Sequence, residues 1–442
     1  MTDLTHARVF RIAMPIVLSN ATIPLLGAVD TAVIGQLGQA APIGAVGLGA
    51  VILATLYWIF GFLRMSTSGL AAQAHGAGDV PERSATLLRA LMIAAAMGLA
   101  MIALQSLFFA AAFRIAPASP GVEDLTRAYL SIRIWGAPAT LAIYALTGWL
   151  VGVERTGGIL ILQIWQNGLN IVLSVWFVLG LGWGVPGVAA ATLVAEITGL
   201  GLGLWLARDA FGPVLKSALA RLRNAAALRA MFTASRDIML RSVILQLSFT
   251  AFVFVGARFG DTTLAANQIL LQFLSIMAYA LDGFAFAAES LVGQAIGQRS
   301  RSALQQAARL CMHWGYGGAL VLALVFAAAG APLIDLMTTA PDVRDTARAY
   351  LPWLIAAPLI GAACWIYDGI FIGALMTGAM VRSALQVTVL YVPALFLLVP
   401  LWGNHGLWAA LMLMNLARGV TLYRAFPGIQ ARLGPDPTPR QS

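Results

Sequence analysis

From Thr156 to Ala195, and again from Ser383 to Ala417, the chain carries no Asp, Glu, Lys or Arg. A helix crosses the hydrocarbon core of a bilayer with about 20 mostly apolar residues, so each stretch is long enough for two passes. Each also contains a place to turn, GLGWGVP at 180–186 and PLWGNHG at 400–406. The rest of the sequence follows the same pattern. Of the 442 residues, 60% are hydrophobic and 10% charged, with a mean hydropathy of +0.84. Soluble domains lie nearer about 45–50% apolar and about 25% charged, and no soluble core of this length hides so much apolar surface. Strands of a membrane barrel alternate and give no unbroken apolar runs; neither a Gly-X-Y period nor a polar tract is present. The chain reads as an all-α membrane protein.

Twelve spans are expected, at 9–37, 43–70, 87–113, 129–153, 159–181, 185–207, 237–259, 264–296, 304–330, 350–377, 383–399 and 407–423. The first apolar run is too long for a leader and lacks a small-residue cleavage site, so no cleaved signal peptide is expected. The net charge of +9 does not point to nucleic acid, because the basic residues sit between spans rather than on one face. With both termini on one side, that side holds nineteen basic residues, Arg89 and Arg418 among them, and the other holds five. The richer side is expected to be cytoplasmic. Arg64, Arg133 and Arg241 remain inside spans. The two cysteines, Cys311 and Cys364, lie in apolar runs without metal-ligand spacing. No nucleotide-binding, HExxH or GxSxG motif is present, so no catalytic residue, metal or cofactor is expected.

The two halves repeat. Gln73 and Gly76 match Gln294 and Gly297, Tyr129 and Leu130 match Tyr350 and Leu351, and Gly148 and Gly152 match Gly369 and Gly373, all at an offset of 221. Six spans per half give the repeats one orientation, the plan of transporters built from parallel repeats. The expected organisation is an N-lobe over 1–207, a basic linker over 208–236 that could form an amphipathic surface helix, a C-lobe over 237–425 and a polar tail over 426–442.

Several ordered motifs carry a resemblance: Pro15 followed by GAVDTAVIGQLG (27–38), IFGFLRMSTSGLAAQAHGAGD (59–79), YLSIRIWGAPATLAIYALTGWLVG (129–152), GVPGVAAATLVAE (184–196), LDGFAFAAESLVGQAIG (281–297) and WIYDGIFIGA (365–374). Together the chain resembles the MATE (multidrug and toxic compound extrusion) family, in its DinF-like branch. The resemblance implies twelve transmembrane helices in two pseudo-twofold-related six-helix bundles, V-shaped, that export organic compounds against a cation. It matches Asp30 to the acid of the N-lobe coupling site and Pro15 to the proline at which the first helix bends. Ser174 stands where similar proteins often carry Asp, which leaves one carboxylate and tilts the coupling ion toward H+ over Na+. Asp368 matches an acid used in related branches, but the acidic partner on the seventh span is not matched at 243–247.

A charge at mid-membrane costs about 2.5–3.5 kcal/mol on insertion scales, so each such residue invites a functional reading beside a static ion pair. Asp30 is a candidate proton carrier, or a partner of Arg64. Asn170 and Ser174, one helical turn apart, and Thr192 are candidates to complete its site, or simple interhelical hydrogen bonds. Glu196 could be a second proton stop or a partner of Arg133 or Arg64. Asp237 and Arg241 are spaced for an intrahelical pair. Asp282, Glu289 and Asp368 are the C-lobe candidates. Trp58, Phe60, Phe62, Tyr144, Trp149, Tyr279, Phe284 and Phe286 could line a cavity for apolar cations, or simply pack.

The expectation is a monomeric antiporter of the bacterial inner membrane, both termini cytoplasmic, surrounded by membrane lipids. It exchanges protons, or less readily sodium ions, for a small organic substrate, cationic or amphipathic. A flippase for lipid-linked precursors and an exporter of organic anions such as citrate are the related alternatives. Both call for a more cationic cavity. A channel or scaffold is the alternative from another class.

Overall fold

The computed structural model of the chain describes residues 4–433, with the backbone alone over 23–28. Every regular element among them is helical. The expected first span is two helices, α1 (His6–Ala21) and α2 (Ile23–Gly35). α3 (Ala40–Ile59) and α4 (Phe62–Gly76) form the second, α5 (Val80–Ala103) with the short α6 (Gln105–Ile115) the third, and α7 (Pro120–Arg133) with α8 (Ala137–Gly152) the fourth. α9 (Thr156–Val175) and α10 (Gly184–Leu206) follow, then a short connector helix, α11 (Leu215–Arg221). The second half is α12 (Ala225–Gly256), α13 (Asp261–Gly297), α14 (Arg301–Met337), α15 (Pro341–Gly373), α16 (Thr377–Trp402) and α17 (Asn404–Leu433). Ten helical runs among the described residues are long and apolar enough to cross a membrane. The other two expected spans are the broken α1–α2 and α17.

Three boundaries differ from expectation. α12 begins at Ala225, twelve residues (237 − 225) before the expected start of its span, because Ala-rich 225–231 has high helix propensity. α17 runs on to Leu433, so the expected tail begins within a helix; 434–442 lie outside the described residues. The first span runs unbroken through Pro15 and stops at Thr22. Pro24 falls in the first turn of α2, where a missing backbone donor is harmless, whereas one continuous helix would lose a hydrogen bond there.

The chain divides into two units by its contacts. One comprises Leu18–Ala74 and Asp79–Met231; the other comprises Met1–Val17, His75–Gly78 and Phe232–Ser442. α1 thus passes from one unit to the other just after Pro15. The first unit is built on Leu63, Leu130, Ile134, Leu141 and Val188, the second on Phe252, Leu270, Leu354, Tyr391 and Trp408. In the second, Gly76 lies so tightly against the backbone of Gln294 that a Cβ would overlap it.

Helices in lipid associate by close packing at small residues, and the sequence repeat reappears as repeated contacts. A Cβ on Gly148 would overlap the carbonyl oxygen of Arg64, and one on Gly369 the carbonyl oxygen of Ala285. Gly152 meets the backbone of Ser68, and Gly373 that of Glu289. Both partners in each pair are shifted by the same 221 residues (285 − 64 and 289 − 68).

The connector is strapped to the amino end of α5. Asp79 caps α5 through the Glu82 amide (3.1 Å) and accepts from Arg221 Nη1 at 2.7 and 2.6 Å. Arg89, buried rather than in a loop as expected, donates to the Arg221 carbonyl (2.6 Å) and to Glu82 (2.6 Å).

Two outcomes follow from this packing. Gly148→Ala and Gly369→Ala should each lower stability in detergent by about 1–3 kcal/mol, the usual range for overpacking, while Gly47→Ala, which meets open space, leaves the thermal midpoint unchanged. Partial burial raises the Asp79 carboxyl, but the hydrogen bonds from Arg221 and Glu82 and the charge of Arg221 outweigh it and hold it below the ordinary value. A depressed carboxylate stabilises above its unfolded pKa and ceases to do so as pH falls through the folded one. Hydrogen exchange over 215–221, corrected for its intrinsic pH dependence, should stay slow down through the usual carboxylate range and rise below it. Asp79→Asn should raise it already at neutral pH.

Candidate functional site

In the first unit one face of α9 is polar within an otherwise uncharged helix. Asn167, Asn170 and Ser174 lie at i, i+3 and i+7, and all three are buried. Ser174 Oγ donates to Asp30 Oδ1 of α2 at 3.2 Å. Asn170 Nδ2 donates to Thr192 Oγ1 of α10 at 2.8 Å, and the Thr192 hydroxyl donates to the Val188 carbonyl at 3.0 Å. Four of the expected residues therefore meet in two linked pairs across three helices. Asp30 is 9% exposed. Among the described residues its hydrogen bond is from a neutral hydroxyl, and it lies within electrostatic reach of Arg133. Asn170 Oδ1 is buried and accepts no hydrogen bond among the described residues.

Asn167 was not among the expected residues. Its Nδ2 donates to the Thr22 carbonyl (3.3 Å) and hydroxyl (2.8 Å), and its Oδ1 accepts from Gln163 (3.0 Å). Asn167 thus ties α9 to the break between α1 and α2. The signal in the sequence is its place on the Asn170–Ser174 stripe.

Glu196 has found one of its two expected partners. Arg133 Nη1 donates to Glu196 Oε2 at 2.6 Å, with side chains 9% and 12% exposed. Gly136 makes room for it, since a Cβ there would overlap the Glu196 carboxylate. Arg64 is half-buried on α4. His75 falls in the last turn of that helix. Of the aromatics, Trp149 is fully buried and donates to the Arg83 carbonyl at 3.0 Å, and Phe284 stacks on Trp314. Trp58 and Tyr279 are exposed.

In the second unit the charges pair differently from expectation. Arg241 does not pair with Asp237; it donates to Asp368. Arg418, counted by sequence as a loop cation, is buried on α17 and donates to the same carboxylate oxygen at 2.5 Å. α17 extends well past the expected end of its span, so Arg418 sits mid-helix. Asp237 instead accepts from Arg236 (2.8 Å) and from the Thr377 hydroxyl (3.0 Å). Asp282 is half-buried on α13 and within electrostatic reach of both Arg241 and Arg418. Glu289 is buried two turns further along the same face, its backbone against Gly373. An acid held between two guanidiniums is poorly suited to bind a cation.

The duplicated all-helical bundle, with ten helical runs among the described residues long and apolar enough to cross a membrane, is that of a multi-pass membrane protein. The MatE family model matches residues 15–176 and 238–401, once in each half. The chain belongs to the MATE family of transporters. It is 39% identical to DNA damage-inducible protein F of Escherichia coli over 93% of this chain and 90% of that protein. It is 27% identical to the probable multidrug resistance protein NorM of Deinococcus radiodurans, over 93% and 92%. A crystal structure of the Vibrio cholerae MATE transporter VcmN superposes with a TM-score of 0.85 over 97% of each chain at 19% identity, which shows the shared fold.

Breaking a buried ion pair by removing one partner costs about 3–5 kcal/mol, whereas replacing both by apolar residues is often neutral. Arg133→Leu should therefore destabilise the solubilised protein by about that amount, and Arg133→Leu/Glu196→Leu should recover most of it. Thermal unfolding of the four proteins of the cycle reads the difference.

Proposed function

We propose that the protein exports small organic compounds by antiport, with protons as the coupling ion and Asp30 as the carrier. The observation that carries the reading is the contrast between Asp30 and two other acids inside the spans, Glu196 and Asp368. Glu196 is held by Arg133, and Asp368 by Arg241 and Arg418, while Asp30 is satisfied by a neutral hydroxyl. An ionised carboxylate accepts only, whereas a protonated one can also donate. The same face of α9 offers an unfilled buried acceptor, Asn170 Oδ1. A proton on Asp30 would thus change which hydrogen bonds bind α2 to α9, and the first span would bend at its two weak points. One is Pro15, which lacks the donor for the Arg11 carbonyl; the other is the break at Thr22. The organic compound would leave as the two units exchange access.

Sodium favours several oxygens and uncompensated negative charge. Ser174 in place of a second acid and the nearby Arg133 argue against it in the first unit, and the two guanidiniums on Asp368 argue against it in the second. The same pairing speaks against the flippase and organic-anion alternatives, since both need free cations and Arg133, Arg241 and Arg418 are engaged. The multidrug relative supports a cationic or amphipathic substrate, and the Escherichia coli relative and the basic-residue distribution support the bacterial inner membrane with cytoplasmic termini.

Reconstituted protein given imposed proton or sodium gradients, and one cationic, one anionic and one zwitterionic substrate, tests the reading. Proton-driven export of the cation is expected. Asp30→Asn should abolish it while the protein still inserts and folds. Export by that variant at the wild-type rate, or drive by sodium alone, overturns the proposal.

A further inference from the structure

The segment 207–224 joins two membrane-spanning helices, α10 and α12, so it lies along the membrane face. It is held rigidly there by Arg221 on Asp79 and by Arg89 on the Arg221 carbonyl. With Ala218 buried against the protein, Lys216, Leu219 and Arg223 are exposed. Lys216 and Leu219, at i and i+3 of α11, share one helical face, and Arg223 follows in the turn just after that helix. Leu219 is 49% exposed. Arg229, one turn into α12, is exposed as well. At the other end, Arg208 lies over the ring of Trp205 at 4.5 Å, and Trp205 is 57% exposed.

The positive charge here is uncompensated. Asp209 is the segment's single acid, and it is taken up by Arg155 (2.6 Å) and Arg83 (3.5 Å). Lys216, Arg223 and Arg229 form no ion pair among the described residues. Three such cations alone would suit any polyanion. The exposed Leu219 and Trp205 among them suit a partner that is anionic at its surface and apolar just beneath. Basic residues beside the ends of spans attract anionic headgroups, tryptophan favours the interface, and a basic–apolar face lies in the headgroup layer.

We propose that this strapped connector is a docking surface for anionic phospholipids, with Lys216, Arg223 and Arg229 on the phosphates and Leu219 and Trp205 set into the acyl boundary. The proposal is independent of the transport reading, because it concerns lipid retention by the resting protein. Because the strap fixes α11 in advance, little order has to be gained when lipid binds.

Native mass spectrometry of the full-length protein, released from micelles containing equal phosphatidylglycerol and phosphatidylcholine, tests it. Wild type should retain phosphatidylglycerol in preference. Lys216→Glu/Arg223→Glu/Arg229→Glu should lose that preference, by about fivefold or more for each cation lost. The corresponding triple Gln variant, which adds no repulsion, should lose part of it and decides the matter if the Glu variant does not fold. Arg114→Glu/Arg258→Glu, at exposed cations elsewhere, should retain the lipid as wild type does. Equal retention of both lipids by wild type, undiminished phosphatidylglycerol on a folded triple variant, or full displacement by inorganic phosphate overturns the proposal.

Discussion

Hydrocarbon offers a charged or hydrogen-bonding group no solvent, so every such group within the spans must be answered by the protein itself. That requirement organises the interior of both units. Arg133 and Glu196 tie α7 to α10 across the first. Arg241, Asp368 and Arg418 tie α12, α15 and α17 together in the second. At the helix break too a polar group is answered from within, since the Thr22 hydroxyl and carbonyl accept from Asn167. Against this background Asp30 stands out by the weakness of its answer, a neutral hydroxyl at 3.2 Å. A carboxylate so placed lacks the direct guanidinium partner that Glu196 and Asp368 have, and this is the physical ground of the proposal that it carries the proton.

Apolar surface cannot bring helices together in lipid, because the lipid is as apolar as they are. Close backbone approach does, and it needs residues without a Cβ. Gly148 and Gly152 in one half and Gly369 and Gly373 in the other let two helix backbones meet at matched positions. The duplication visible as an offset of 221 in the sequence is therefore a duplication of contacts, and the glycines are its fixed points.

Much of this was legible beforehand. Apolar run length gave the spans, and GLGWGVP gave the turn between α9 and α10, where Gly182 and Gly184 take positive φ. The four residues Asp30, Asn170, Ser174 and Thr192 could be named, and they do meet. What was not legible has definite causes. Arg418 reads as the end of a span because a cation after an apolar run usually marks water, yet its helix continues to Leu433. Asp237 and Arg241 have ideal spacing for an intrahelical pair, but a stronger partner for Arg241 lies on α15, and tertiary pairing outweighs local spacing. Two prolines fall in the first span, and hydropathy alone does not distinguish the one a helix passes through from the one it stops at. Asn167 is a single amide in an apolar run, and its task exists only once the break at Thr22 is known.

The repeat also separates what the two halves share from what they do not. Shifting Asp30 by 221 arrives at Ala251, shifting Arg133 arrives at Leu354, and shifting Asp368 back arrives at Thr147. The packing glycines survive the shift while these three buried charged groups do not. Backbone contact is demanding in the same way in both units, since any side chain at those glycines collides. A buried charge, by contrast, is tolerated only where its partners have arisen with it, so each unit carries its own set. In the second unit two guanidiniums meet on Asp368; in the first Asp30 accepts from the Ser174 hydroxyl. The symmetry of the scaffold therefore gives no reason to expect symmetric chemistry, and a proton site of the kind proposed for Asp30 needs no counterpart in the other half.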